Sequence, residues 1–123
     1  MRKPIQRVED LEVFGKSYDA SLELHKLSLQ WPKHEQLSGI ADQVRRASKG
    51  ICANLAEGFG KQAYSTAEFK RYIAMAIGSA DEIRIWLSYA KDLEYLSKEE
   101  AKSYRERYQT IAKMLSGLYK NWS

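Results

Sequence analysis

The residues best suited to chemistry fall in one stretch, Gln36 to Ala63. Arg45, Arg46 and Lys49 put three cations within five residues, and Lys61, Lys70 and Arg71 follow further along. Cations brought together in this way hold a phosphate backbone without reading bases. Solvation of a charged helix face is the competing explanation, and only convergence in an assembly separates the two. Asn54 and Glu57 lie about one turn apart near the end of the same stretch. A carboxylate near a helix C-terminus is mildly unfavourable unless it has a partner. The pair is therefore expected to clasp the corner between the second and third helices, with an arginine or free backbone N–H groups as partner. One carboxylate without a base makes no acid–base site.

Gly58-Phe59-Gly60-Lys61-Gln62-Ala63 spells G-x-G-x-x-A. A dinucleotide fingerprint requires a strand before it, whereas a long helical pattern precedes it here. Gly58 is expected instead to cap a helix in the left-handed conformation. The two histidines, His25 and His34, lack the inward Glu-x-x-His pairing of di-iron bundles. No serine has a recognisable base or nucleophile elbow around it. The single cysteine, Cys52, excludes an internal disulfide and any multi-cysteine zinc site within one chain. The expectation is no cofactor, no metal and no catalytic residue. An enzyme or a cofactor- or metal-binding bundle, the alternative class, would need a buried polar pocket.

Four helices must position these residues. The first is expected from an Asp10 N-cap to Trp31-Pro32, with Leu11, Phe14, Tyr18, Leu22, His25 and Leu29 on its inward face. Val13, Ala20, Leu24 and Leu27 widen its apolar surface onto a second face. The second runs from about Leu37 to Ala56 or Glu57, and its Ile40, Val44, Ala47, Ile51 and Leu55 recur at helical spacing. Gly50 in its middle points to close packing or to a tolerated weak spot. Ser65 with Glu68 and Ser97 with Glu100 spell capping boxes for the third and fourth. Phe69, Ile73, Ala76, Ala80, Ile83, Leu87 and Ala90 then alternate steps of four and three, a heptad seam. The fourth helix carries Ala101, Tyr104, Tyr108, Ile111, Leu115, Leu118 and Trp122 in the same way. Short connections make successive helices antiparallel neighbours. The fold class is all-α, an antiparallel up-down-up-down four-helix bundle in a single domain spanning 1–123, with residues 1–9 as a basic arm.

Composition narrows the class further. The chain has 123 residues, 44% hydrophobic and 29% charged, with two prolines. That length suits one domain with a substantial core, and that balance is not one of disorder. A net charge of +4 permits an anionic partner without requiring one. No apolar run approaches the roughly 18 residues that span a bilayer, so no membrane contact and a cytoplasmic location are expected. Helix one is apolar on two faces, and Trp31, Trp86, Tyr89 and Trp122 exceed what one small bundle needs. Self-association follows as an expectation.

Several stretches carry a family likeness. Asp10-Leu11-Glu12-Val13-Phe14, Gly39-Ile40, Gln43-Val44-Arg45-Arg46-Ala47-Ser48 and Ile51 with Asn54-Leu55-Ala56-Glu57-Gly58 form its main part. Leu93-Glu94-Tyr95-Leu96-Ser97 and Met114-Leu115-Ser116-Gly117-Leu118 extend it. Together they resemble the bacterial four-helix bundle family encoded in intervening sequences of 23S ribosomal RNA genes, also labelled S23 ribosomal protein. The resemblance implies a homopentameric ring of bundles. It also implies kinship with the accessory variability protein of diversity-generating retroelements, a basic pentamer that binds nucleic acid and a reverse transcriptase. For most members of that family the biochemical role is unknown; the function expected here is a non-enzymatic oligomeric scaffold with RNA, DNA or a protein as partner.

Overall fold

The structure, a computed structural model, describes residues 4–123, so the tip of the basic arm lies outside the described residues. Four α-helices follow in order: α1 (Glu12–Ser28), α2 (Ile40–Lys61), α3 (Thr66–Asp92) and α4 (Lys98–Asn121). A 3-10 turn (Val8–Asp10) precedes α1, and another (Lys33–Glu35) lies between α1 and α2. Contacts run α1–α2, α2–α3, α3–α4 and α4–α1, with none across the diagonals. The helices therefore stand at the corners of a square, and the α1–α2 side faces away from the α3–α4 side. Among the described residues there is no strand, and no helix is long and apolar enough to cross a membrane.

The α3 seam is the spine of the core. Phe69, Ile73, Ala76, Ala80, Ile83, Leu87 and Ala90 are all fully buried, as the heptad requires. Ala101, Tyr108, Ile111 and Leu115 of α4 meet them, while Tyr104, Leu118 and Trp122 are half-buried at its margin. Capping fixes where these helices start. Ser97 and Glu100 form the full reciprocal box, each bond 3.0 Å. Ser65 accepts from the Glu68 N–H at 3.1 Å, but the Glu68 carboxylate turns to Arg71 instead, so only half of the expected box forms.

Three further expectations are corrected. Asp10 does not cap α1; its carboxylate accepts the backbone N–H groups of Gln6 and Arg7 and closes the 3-10 turn, so the inner end of the arm is ordered. The face of α1 is reversed. Val13, Ser17, Ala20, Ser21, Leu24 and Ser28 are buried, whereas Tyr18, Leu22 and Leu29 are exposed. The buried face carries the smaller side chains, which let α1 lie close to its neighbours. Gly58 is not a left-handed cap, because α2 continues through it to Lys61 and no glycine has positive φ. A Cβ on Gly58 would fall 2.5 Å from Tyr72 Cβ and 3.1 Å from Phe69 Cδ1. That glycine is there for helix contact, not for backbone freedom. Gly50 repeats the device more gently, its added Cβ lying 3.3 Å from Ser79 Oγ.

Gly58→Ala is expected to cost about 1–3 kcal/mol through overpacking. Gly78, mid-α3 with nothing within 4 Å of an added Cβ, should instead gain up to about 1 kcal/mol on changing to Ala. Urea denaturation of both variants at one protein concentration checks this, and equal effects would remove the close-contact explanation.

Candidate functional site

The basic residues singled out above occupy different places. Arg45 is built into the corner where α1 turns into α2. Its guanidinium donates to Ser28 Oγ at 2.8 Å, to Gln36 Oε1 at 3.0 Å and to the Gln36 carbonyl at 3.0 Å. Gln36 in turn donates to the carbonyls of Ser28 and Trp31. Arg45 is thus a structural latch, with both terminal nitrogens of its guanidinium committed. Arg46 points outward and pairs with Asp42 at 3.2 Å, a helix-supporting contact worth a few tenths of a kcal/mol. Lys49 donates to His25 Nδ1 at 2.8 Å across the α1–α2 groove.

The other three lie elsewhere. Lys61, twelve residues beyond Lys49, is about 18 Å away along the helix at 1.5 Å per residue. Lys70 sits over the Tyr119 ring on α4, and Arg71 pairs with Glu68 while covering Tyr72. The six cations do not converge within one protomer. Asn54 and Glu57 are also corrected. Glu57 is exposed, and neither side chain makes a hydrogen bond or ion pair among the described residues, so no clasp forms within the protomer. What fixes that end of the bundle is apolar: Phe59, Phe69 and Trp122 meet edge to face, with centroids 5.0–6.1 Å apart.

The opposite end is held by residues that composition and spacing did not single out. Glu35 accepts the Tyr95 hydroxyl at 2.7 Å and the Ile40 N–H at 3.1 Å, tying the α3–α4 connection to the start of α2. Those two bonds, with His34 nearby, hold its carboxyl below the usual range. Gly39 makes this possible, because a Cβ there would lie 2.5 Å from Glu35 Oε1. Tyr95 also packs on the buried Trp31, centroids 5.9 Å apart. The adjacency of Glu35 to a glycine and a helix start was the available signal.

The remaining titratable groups serve as structure as well. Glu23 and Arg107 form a two-bond pair, 2.8 Å each, joining α1 to α4. Burial pushes the Cys52 thiol up to about 11, which keeps it from acting as a thiolate nucleophile. Among the described residues no three His, Cys, Asp or Glu side chains gather where they would hold a metal ion.

What the surface does offer is apolar. Phe14 and Tyr18 stack on α1 with centroids 6.3 Å apart, and with Gly15 and Ala56 of α2 they line a hollow of about 580 Å³. Tyr18, Leu22 and Leu29 stand 50%, 43% and 58% exposed along the same helix. Of the four aromatics expected at the surface, only Tyr89 is exposed, since Trp31 is buried and Trp86 and Trp122 are half-buried. Exposed apolar residues lie on α1 and its C-cap, with Met75, Ile85 and Tyr89 on α3, and not on the tryptophans.

Comparison with known proteins now bears on this arrangement. The model of the family described as 23S rRNA-intervening sequence protein matches residues 9–117. The chain belongs to that family. Among solved structures, it is similar to the crystal structure of a protein of unknown function from the S23 ribosomal protein family of Bacteroides thetaiotaomicron VPI-5482. The two share 26% identity at a TM-score of 0.78, over 89% of this chain and 96% of that one. No curated protein matches. The matched span covers most of the four helices that build the corners, from the α1 entry to within a few residues of the α4 terminus.

Two outcomes follow from the α1–α2 contacts. Arg45→Ala leaves Ser28 and Gln36 without their charged donor and should cost about 2 kcal/mol in denaturant unfolding. His25 is held below its ordinary pKa of 6.5 by burial first, then by Lys49 and Arg45. With the folded pKa depressed, the unfolded chain binds the extra proton first. Stability is therefore intact above pH 6.5 and falls as pH drops from there toward the folded pKa. NMR titration should place His25 below 6.5, and Lys49→Met should move it upward. An unmoved titration would show that the Lys49 contact does not exist in solution.

Proposed function

We propose that this family member is a non-enzymatic, homo-oligomeric scaffold, a pentamer as the family resemblance implies, that holds structured RNA or DNA by weak backbone contacts. The observation that carries it is the outward stripe of α1. Phe14, Tyr18, Leu22 and Leu29 recur at steps of four, four and seven on a helix whose other face already fills the core. A second apolar face on one helix has its ordinary use in contact with another helix. The small, exposed Ala53, Ala56 and Gly60 beside it on α2 leave room for a neighbouring chain to come close.

The scaffold reading, and not an enzymatic one, draws support from where polar groups are spent. Arg45, Glu35, Tyr95, Glu23 and Arg107 all close corners or join helices. No pair among them sets a nucleophile beside a base, as group-transfer chemistry requires. Glu57 and Asn54 have no partner within the protomer, and an adjoining subunit would supply one. A protein partner docking on the assembled ring, in the cytoplasm, completes the proposal.

Multi-angle light scattering at micromolar concentration should report an oligomer. Tyr18→Glu combined with Leu22→Glu should release folded protomers, because two carboxylates would then be buried unpaired in the contact. A wild-type chain that is monomeric at micromolar concentration would sink the assembly.

A further inference from the structure

Along α4, Lys98, Lys102, Arg105, Lys113 and Lys120 fall on one face, with Gln109 and Ser116 filling the gaps, at steps of four, three, four, four, three and four. None of the five cations makes an ion pair or hydrogen bond among the described residues. Elsewhere Arg45 is committed to its latch, Arg46 to Asp42, Arg71 to Glu68 and Arg107 to Glu23, and the other unpaired lysines, Lys16, Lys26, Lys33 and Lys61, do not line up along one helix. The α4 face has acids close at hand in Glu99 and Glu106, yet its cations stay unpaired. From Lys98 to Lys120 the ridge is about 33 Å long at 1.5 Å per residue.

Beside the ridge runs the outer α3–α4 groove, two hollows of about 520 Å³ each that share Asp81, Arg84 and Gln109. Arg84 neutralises Asp81 there, and its Nε is buried without a partner. Glu106 is the one further acid in the lining. This side of the square faces away from the α1–α2 side, so an assembly through α1 leaves it open.

We infer that the α4 ridge and its groove against α3 form a docking surface for the sugar–phosphate backbone of double-stranded RNA. The inference rests on the nucleic-acid part of the proposed function and gives that part a site, in place of the scattered cations of α2 and α3. The five unpaired cations are linear and outnumber Glu106, the one unpaired acid in the groove lining, and such a positive excess is what a polyanionic backbone complements. The groove lining contains no aromatic side chain, so it lacks the stacking platform on which unpaired bases are held. A double helix hides its bases and offers phosphates. The neutral Gln109 and Ser116 between the cations suit the 2′-hydroxyls that line the wide, shallow minor groove of A-form RNA. A DNA duplex presents phosphates as well but no 2′-hydroxyl to those two side chains.

Fluorescence anisotropy with a labelled RNA duplex of roughly 20 base pairs, longer than the ~16 that shape-reading RNA domains span, tests this across a salt series. Lys102→Glu with Lys113→Glu should weaken binding at least about tenfold and flatten the salt dependence by about two units of slope. Arg46→Glu with Lys49→Glu on α2 should stay within about twofold of wild type. Circular dichroism and light scattering confirm that each variant is folded and assembled. Should the charge reversal unfold α4, Lys102→Gln with Lys113→Gln should still weaken binding and lower the slope.

Binding that survives the α4 changes, or that is lost through the α2 changes instead, overturns the site while leaving the nucleic-acid role. Equal affinity for a DNA duplex of the same sequence overturns the assignment to RNA. Tighter binding of polyglutamate than of the duplex assigns the face to an acidic protein. Failure of the wild type to bind any duplex at low salt overturns the proposed nucleic-acid role itself.

Discussion

The bundle depends on how closely α2 and α3 approach. At Gly58 the α2 backbone lies against Tyr72 and Phe69 with no room for a methyl group, and at Gly50 it lies against Ser79. That contact sets the spacing of the two longest-shared neighbours in the square and decides which face of each helix is left over. Because α2 runs unbroken past Gly58 to Lys61, Phe59 is carried onto Phe69 and Trp122, closing one end. The other end is closed by polar groups, Arg45 on Gln36 and Glu35 on Tyr95. Between these two closures the heptad of α3 fills the middle.

Once the square is set, two of its sides have different characters. The α1–α2 side carries exposed apolar residues beside small ones, while the α3–α4 side carries a row of unpaired cations, with Tyr119 covered by Lys70 and Ile85 in the groove. A chain of net charge +4 shows little of this in its total. The separation arises from helix periodicity, which sorts residues by face regardless of composition. Opposite sides can then serve opposite purposes, one joining copies and the other left to a polyanion.

Much of this was legible in the sequence where the deciding physics is local. The α3 seam, the Ser97–Glu100 box and the short connections each depend on residues within a turn or two, and all took the expected form. Helical spacing alone also offers the pairs Asp42–Arg46, Glu68–Arg71 and Asp81–Arg84, which form, and Glu99–Lys102, which does not. What was not legible depended on the distance between helices. Spacing offered two apolar stripes on α1 and could not say which would meet α2, since that choice turns on the small size of Ser17, Ala20 and Ser21. Gly58 read as a cap because glycine serves both caps and close contacts, and only Tyr72 across the interface distinguishes them. Arg45 and Arg46 are neighbours in sequence, yet one is locked into a corner and the other faces solvent. The α4 stripe was readable by counting threes and fours, but its acidic neighbours Glu99, Glu100 and Glu106 gave the segment the look of an ordinary mixed-charge helix.

The central claim is that the two sides of the square divide the work, with copies meeting through the α1–α2 side and the α3–α4 side remaining open. Hydroxyl-radical footprinting of the wild-type chain at micromolar concentration reads side-chain exposure on both at once, with Tyr64, 90% exposed in the protomer, as the internal reference. The account predicts that Tyr18, Leu22 and Leu29 react far more slowly than their protomer exposure allows, while Ile85 in the α3–α4 groove reacts at its full protomer rate. Fast reaction at Tyr18 and Leu22 together with protection of Ile85 would contradict it.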